Sequence, residues 1–384
     1  TYVYGQDTLL PLLYALLSSH RVLSESFLSL PYSVRKILFF FFNNRFFYFY
    51  KTFIIAEMSA NHNHKKEIAL ETIKAAKEVG ADAVKIQTYT ADTITLDCDN
   101  EYFATEKGSL WEGTTLYQLY EEAYTPWEWH KAIFEKAQSL GLICFSSPFD
   151  VTAVDFLEGL GTPAYKIASY EINDIPLIKK VAATGKPIII STGIASLSDI
   201  ELAIETCQEM NNDNVILLKC TSAYPSPYAE MNLKVIPHMT ETFDCVTGLS
   251  DHSYGTEIAI AAIAQGAKVI EKHITLSRAE GGVDADFSME PQEFLQMVKQ
   301  IRNVEAAMGT VTYELTSSQK SGKQFSRSLF AVEDIKKNEL FTTKNVRSIR
   351  PGNGLHTKYY DKVIGRRASK DIKRGTPLNW EYIQ

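Results

Sequence analysis

The stretch KPIIISTGIASLSDIELAIETCQEM, residues 186–210, holds one complete structural unit: an apolar run, a polar turn and a segment of helical spacing. Ile188, Ile189 and Ile190 are continuous rather than alternating in apolarity, the pattern of a strand buried on both faces of a parallel sheet. Ser191 and Thr192 end the run. Beyond them a helix is expected over residues 198–210, with Ser198 as its cap and acidic residues in its first turn. Such a strand, turning at once into a helix, is a β/α unit.

Outward from this unit the pattern recurs from Lys51 onward. Apolar runs lie at Phe53–Glu57, Ala83–Gln87, Leu142–Ser146, Ala164–Ala168, Pro187–Ser191, Val215–Cys220, Cys245–Leu249 and Lys268–His273, eight in all. Segments of helical spacing separate them, as over residues 67–79 with Ile68, Ile73, Ala76 and Val79. Strand and helix in alternation predict a parallel α/β architecture, and eight units predict a closed (β/α)8 TIM barrel rather than an open sheet.

Each run ends in side chains that packing alone would waste: Glu57, Lys85 with Gln87, Ser146 with Ser147, Lys166 with Ser169, Ser191, Thr221 with Ser222, Ser250 to His252, and Glu271 with His273. A polar residue merely marking one strand end would be unremarked. Eight in succession, with two Lys and two His among them, point to one catalytic face, because all strand ends of a barrel converge there.

Composition sets the outer limits. The chain has 384 residues, 45% hydrophobic and 22% charged, enough for a large core and a smaller one. A net charge of −7 argues against nucleic acid as a partner. Five cysteines without C-x-x-C spacing suggest neither a disulfide framework nor a zinc site, and fit a reducing cytoplasm. Cys144 and Cys220 sit in apolar runs and read as buried thiols.

Residues 1–50 differ in character, Leu-rich and then Phe-rich, with Arg35, Lys36 and Arg45 interrupting the apolar run before the ~20 residues a spanning helix needs. Three readings stay open: a non-native leader, a membrane-associating extension, or a signal peptide. No membrane is expected for the remainder. The barrel is expected over residues 51–309, a linker over 310–324, and a small β-rich domain over 325–384, where turn signals such as Pro351-Gly352-Asn353-Gly354 are frequent.

The phrases FIIAEMSANHNH (53–64), AVKIQTY (83–89), SSPFD (146–150), YKIAS (165–169), ISTGIA (190–195), GLSDHS (248–253) and IEKHITL (270–276) occur in order. Together they resemble the N-acetylneuraminate and pseudaminate synthase family, over about residue 53 to the C-terminus. Residues 325–384 are similar to that family's SAF (antifreeze-like) module. SANHNH (59–64), KCTSAYPSP (219–227) and FSRSLF (325–330) look most like its pseudaminate branch, and the legionaminate branch is the nearest competitor.

The resemblance implies condensation of phosphoenolpyruvate with an amino-sugar aldehyde. It implies a divalent metal, Mn2+, Mg2+ or Co2+, on His252 and His273, with open positions for substrate and water. Lys85, Lys166, Ser169 and Ser191 match positions that bind phosphoenolpyruvate, and Thr192 and Gly193 could add backbone donors. Glu57 is the proton-transfer candidate, beside the catalytic lysines 85 and 166. Gln87, Ser222, Tyr224, Ser250, Glu271 and Asp284 match positions that meet or support the sugar. Ser222 departs from the Asn of sialic acid synthases. Phe325 and Arg350 match residues that reach the partner subunit's site, which implies a domain-swapped homodimer. His62 would shape the site, and His64 would lie on the surface. Two further readings stay open: another aldolase-type barrel, which would not explain the C-terminal module, and a non-catalytic sugar-binding barrel.

Overall fold

The structure is a computed structural model that describes residues 41–42, 45–46, 51–105, 108 and 111–384. Of the leader, only the antiparallel pair Phe41–Phe42 and Arg45–Phe46 is described; the three readings of residues 1–50 otherwise lie outside the described residues. Among those described, no helix is long and apolar enough to cross a membrane. The chain divides into two compact units between Gly309 and Thr310.

Eight parallel strands close the first unit into a barrel. They are β1 (Phe53–Glu57), β2 (Ala83–Thr88), β3 (Ile143–Pro148), β4 (Tyr165–Ile167), β5 (Ile188–Ser191), β6 (Val215–Cys220), β7 (Val246–Asp251) and β8 (Val269–His273), with β8 pairing back onto β1. All eight expected strands are present. The boundaries move by one or two residues; β7, for one, runs through Ser250 to Asp251. The fifth unit's helix is Leu197–Glu209, and its cap is Ser196 rather than Ser198. Ser196 Oγ accepts from the Asp199 amide while the Asp199 carboxylate accepts from the Ser196 amide, a reciprocal box that fixes the start two residues early.

Period two divides each strand between two cores. Ile54, Val84, Leu249 and Ile270 face outward into the layer beneath the helices, together with Ile73, Phe294 and Met297. Ile55, Ala83, Phe145, Ile189, Leu218 and Val269 fill the barrel interior. The interior series continues toward the C-terminal strand ends as Glu57, Lys85, Ser147, Lys166, Ser191, Cys220, Ser250, Glu271 and His273. The alternation that fills the lower barrel with hydrocarbon thus fills its mouth with polar chemistry.

One pair lies on the other face of the sheet. Lys272 Nζ reaches Asp251 Oδ2 at 2.7 Å, both side chains are buried, and Asp251 Oδ1 accepts from the Ser253 amide and hydroxyl. The pair joins the ends of β7 and β8 directly behind His252 and His273. Beneath it the strands approach closely at Gly248, where a methyl group would overlap the Val269 carbonyl oxygen and the Leu218 side chain.

The second unit packs Leu329, Phe341, Val346, Val363 and Leu378 into its own core. Its antiparallel strands are β9 (Ser328–Ala331) and β10 (Val346–Ile349). Near the start of this unit, in the polar stretch before β9, Ser317–Gly322 forms a short helix capped by Thr316.

Gly248→Ala is expected to lower stability by about 1–3 kcal/mol through overpacking, read as a lower denaturant midpoint at unchanged slope. An unchanged midpoint would show that β7 and β8 do not need this close approach.

Candidate active site

A cavity of about 490 Å³ opens in the barrel unit, lined by Lys85, Gln87, Lys166, Ser169, Ser191 and Tyr224, and further by Ser250, His252, Glu271, His273 and Asp284. Eleven of the residues expected from sequence thus share one void. Glu57 and Ser222 stand just behind its wall. Gln87 Nε2 donates to Glu57 Oε1 at 3.1 Å and Lys85 Nζ lies 2.8 Å from Glu57 Oε2, so both carboxylate oxygens are engaged by residues that do face the void. Ser222 Oγ donates to Ser169 Oγ at 2.8 Å. Phe325 and Arg350 belong to the second unit, where both are exposed.

The charges are unevenly matched. Lys85 has two carboxylates, Glu57 at 2.8 Å and Glu271 at 3.6 Å. Burial lifts the Glu57 carboxyl to about 7, with Lys85 pulling it down and Glu271 pushing it further up. For Glu271 burial is outweighed by Lys85 and Lys166, so it stays below the ordinary range. Its Oε1 accepts from Ser250 at 3.0 Å. The pair therefore parts into a proton-holding carboxyl and a carboxylate, as two acids around one ammonium must.

Lys166 is different. Its ammonium donates to Ser191 Oγ at 2.6 Å and to the Ile167 carbonyl at 2.9 Å, and among the described residues no carboxylate forms an ion pair with it. Burial pulls its pKa down. A buried ammonium held only by neutral oxygens is a site for an anion. Ser169 Oγ lies close by in sequence order and accepts from the Ile194 amide at 3.2 Å. Gly193 permits this approach, since a methyl group there would overlap Ser169 and Ser222.

His252 and His273 face each other with ring centroids 5.3 Å apart. His252 Nδ1 lies 3.2 Å from the Thr221 carbonyl, which can only accept, so Nδ1 carries a proton, and in the neutral ring Nε2 is the nitrogen with the lone pair. Among the described residues, buried His273 Nδ1 and Glu271 Oε2 have no hydrogen-bond partner. Among the described residues no cluster of three or more His, Cys, Asp or Glu forms a full ligand set. The donors present fit a divalent cation held by two imidazoles, with its other positions left to substrate and water.

Two readings from sequence change, those of Asp251 and His62. Asp251 does not flank the imidazoles in the cavity, because period two turns it outward to Lys272. His62 is buried away from the cavity wall, its Nε2 3.1 Å from Thr125 Oγ1 and its ring against Trp129. His64 is exposed, as expected. Cys220 is buried but lines the cavity, whereas Cys144 faces the outer core. Sequence reasoning missed Glu171, which burial lifts to about 7 and whose Oε2 has no hydrogen-bond partner among the described residues, and an apolar wall that includes Trp111, Leu119 and Tyr120. Glu171 had a signal, two residues past Ser169 at a strand end; the wall lies in a long segment between strands, where only helical spacing marked it.

In metal-free protein, infrared or NMR titration is expected to find a carboxyl near pH 7 that Glu57→Gln removes. The folded pKa lies above the unfolded one, so the folded state holds the extra proton and loses stability as pH rises from about 4.5 to about 7. A Glu57 carboxyl ionising near 4 would contradict this electrostatic account.

Residues 72–313 match the NeuB family and residues 326–384 match the SAF domain. The chain is 48% identical to the pseudaminic acid synthase of Campylobacter jejuni over 85% of its length and 95% of that protein. It is 37% identical to the N,N'-diacetyllegionaminic acid synthase of Campylobacter jejuni, over 84% and 97%. Its fold matches the N-acetylneuraminic acid synthetase of Leptospira borgpetersenii with a TM-score of 0.63 at 32% identity, over 71% of this chain and 90% of that one. With that family model matched over most of the chain and a SAF domain behind it, the chain belongs to the NeuB family.

Proposed function

We propose that this chain joins phosphoenolpyruvate and water to the open-chain form of 2,4-diacetamido-2,4,6-trideoxy-β-L-altropyranose, giving pseudaminic acid and phosphate. The observation that carries the reading is the gathering of an unneutralised Lys166, a Glu57–Lys85–Glu271 charge cluster and two facing imidazoles around one void. The choice of sugar is supported by 48% identity to a pseudaminic acid synthase against 37% to a legionaminic one.

Lys85 and Lys166, with Ser191 and Ser169, receive the anionic ends of phosphoenolpyruvate. Carbon 3 of phosphoenolpyruvate bonds to the aldehyde carbon, water adds at carbon 2, and the C–O bond to phosphate then breaks, leaving the 2-keto acid. A divalent cation, Mn2+, Mg2+ or Co2+, on His252 and His273 would supply Lewis-acid polarisation of the aldehyde oxygen. Glu57 stores or takes up a proton at Oε2 and exchanges it through Lys85, and a carboxyl poised near 7 is matched to that task. Gln87, Ser222, Tyr224, Ser250, Glu271 and Asp284 position the sugar. Phe325 and Arg350 contact it from the partner subunit of a domain-swapped homodimer, and the enzyme works in the cytoplasm.

Phosphate release from phosphoenolpyruvate, with the product identified by mass and NMR, tests the reading. The purified protein with Mn2+ is expected to turn over the altro sugar. It should lose that activity on chelation and regain it with Mn2+. Preferred use of N-acetylmannosamine, or of the stereoisomer that gives legionaminic acid, would overturn the sugar assignment.

A further inference from the structure

The cavity has a second wall that the condensation chemistry does not use. The helix Leu116–Ala123 turns Leu116, Leu119, Tyr120 and Ala123 toward the void, spaced i, i+3, i+4 and i+7, one face of a helix. Such a stripe ordinarily meets a hydrophobic core. Leu116 and Leu119 are half-buried and, among the described residues, belong to none of the apolar clusters or their packed margins. Their apolar face is given to the cavity.

The helix is held by other contacts. Thr115 and Gln118 form a reciprocal capping box, the Leu116 amide donates to the Phe103 carbonyl at 2.8 Å, and the Tyr117 hydroxyl donates to Asp92 at 3.2 Å. Trp111 extends the same wall. Its indole N–H donates to the Val283 carbonyl at 3.0 Å, and its ring lies 5.9 Å from that of Tyr224. Tyr224 in turn lies 4.5 Å from His252, so the wall meets the cavity beside the imidazoles.

We propose that Leu116, Leu119 and Trp111 form the specificity wall for the sugar, receiving its methyl groups. The inference rests on the function proposed above and deepens it. A 2,4-diacetamido-6-deoxy sugar carries three methyl groups, two on its acetyls and one at carbon 6. A mono-N-acetylated hexosamine has hydroxyls at carbons 4 and 6, which would give up water against hydrocarbon without gaining a partner. The wall therefore selects for methyl groups as well as against hydroxyls. Its apolar character is what a ligand-binding surface shows when an exposed patch is not spent on packing.

Leu116→Gln and Leu119→Gln, singly and together, test this, since Gln and Leu have nearly equal helix propensity. With the diacetamido sugar, the double variant should raise KM roughly 10- to 100-fold, while the KM for phosphoenolpyruvate stays within about twofold. The ratio of kcat/KM for the diacetamido sugar over N-acetylmannosamine should fall by a similar factor. Volume-conserving Leu119→Met should keep the preference. An unchanged ratio, or an equal rise in the KM for phosphoenolpyruvate, overturns the proposal. If the variants do not fold, a 6-hydroxyl analogue of the sugar on the unaltered protein decides: a loss in kcat/KM of about tenfold or more supports the wall, and equal use refutes it. Should the unaltered protein itself prefer N-acetylmannosamine, the proposed function fails first. Should it prefer the diacetamido sugar while the variants keep that preference, only the wall falls.

Discussion

Lys85 and Lys166 place two ammonium groups inside one barrel mouth, and the carboxylates there answer only the first of them closely. In a low-dielectric interior such an imbalance is costly for the empty protein and favourable once an anion arrives. Glu57 adds to the mismatch whenever it takes up a proton. Because burial lifts it to about 7, it can hold a proton while Glu271 remains charged beside Lys85. The site thus combines a cation prepared for substrate with an acid whose proton is available near neutrality.

That arrangement depends on the strands that carry it. Parallel pairing sets Glu57 beside Lys85 on β1 and β2, Ser250 beside Glu271 on β7 and β8, and His273 beside Glu57 where the barrel closes. A register slip of one residue would turn these side chains outward and put hydrocarbon in their place. The buried Asp251–Lys272 pair resists it at the strand ends that bear the imidazoles, since separating the pair would strand two charges in the outer core. One face of β7 and β8 therefore carries chemistry, and the other carries the tie that holds the two strand ends together.

Most of this was legible in the sequence, for a physical reason. Buried parallel strands announce themselves by unbroken apolarity, and a charged residue at the end of such a run has few explanations besides a site. Glu57, Lys85, Lys166, Glu271 and His273 were found that way, and the family resemblance drew them together. What failed was facing. Asp251 and Glu271 are both acids beside a histidine, yet period two sends one into the outer core and the other into the cavity. His62 sits in the same phrase as Glu57 but lies past the strand, where backbone turns bury it against Trp129. The Leu116–Leu119 face escaped notice because an amphipathic stripe reads as core unless the structure shows that no core receives it.

The central claim is that the buried, unneutralised Lys166 ammonium is the anchor for an anionic substrate. Calorimetric titration of phosphoenolpyruvate into the unaltered protein and into Lys166→Gln tests it directly, with thermal unfolding to confirm that both are folded. Loss of a charge-assisted hydrogen bond is expected to weaken binding roughly 10- to 100-fold. Equal affinity in the two folded proteins would contradict the account.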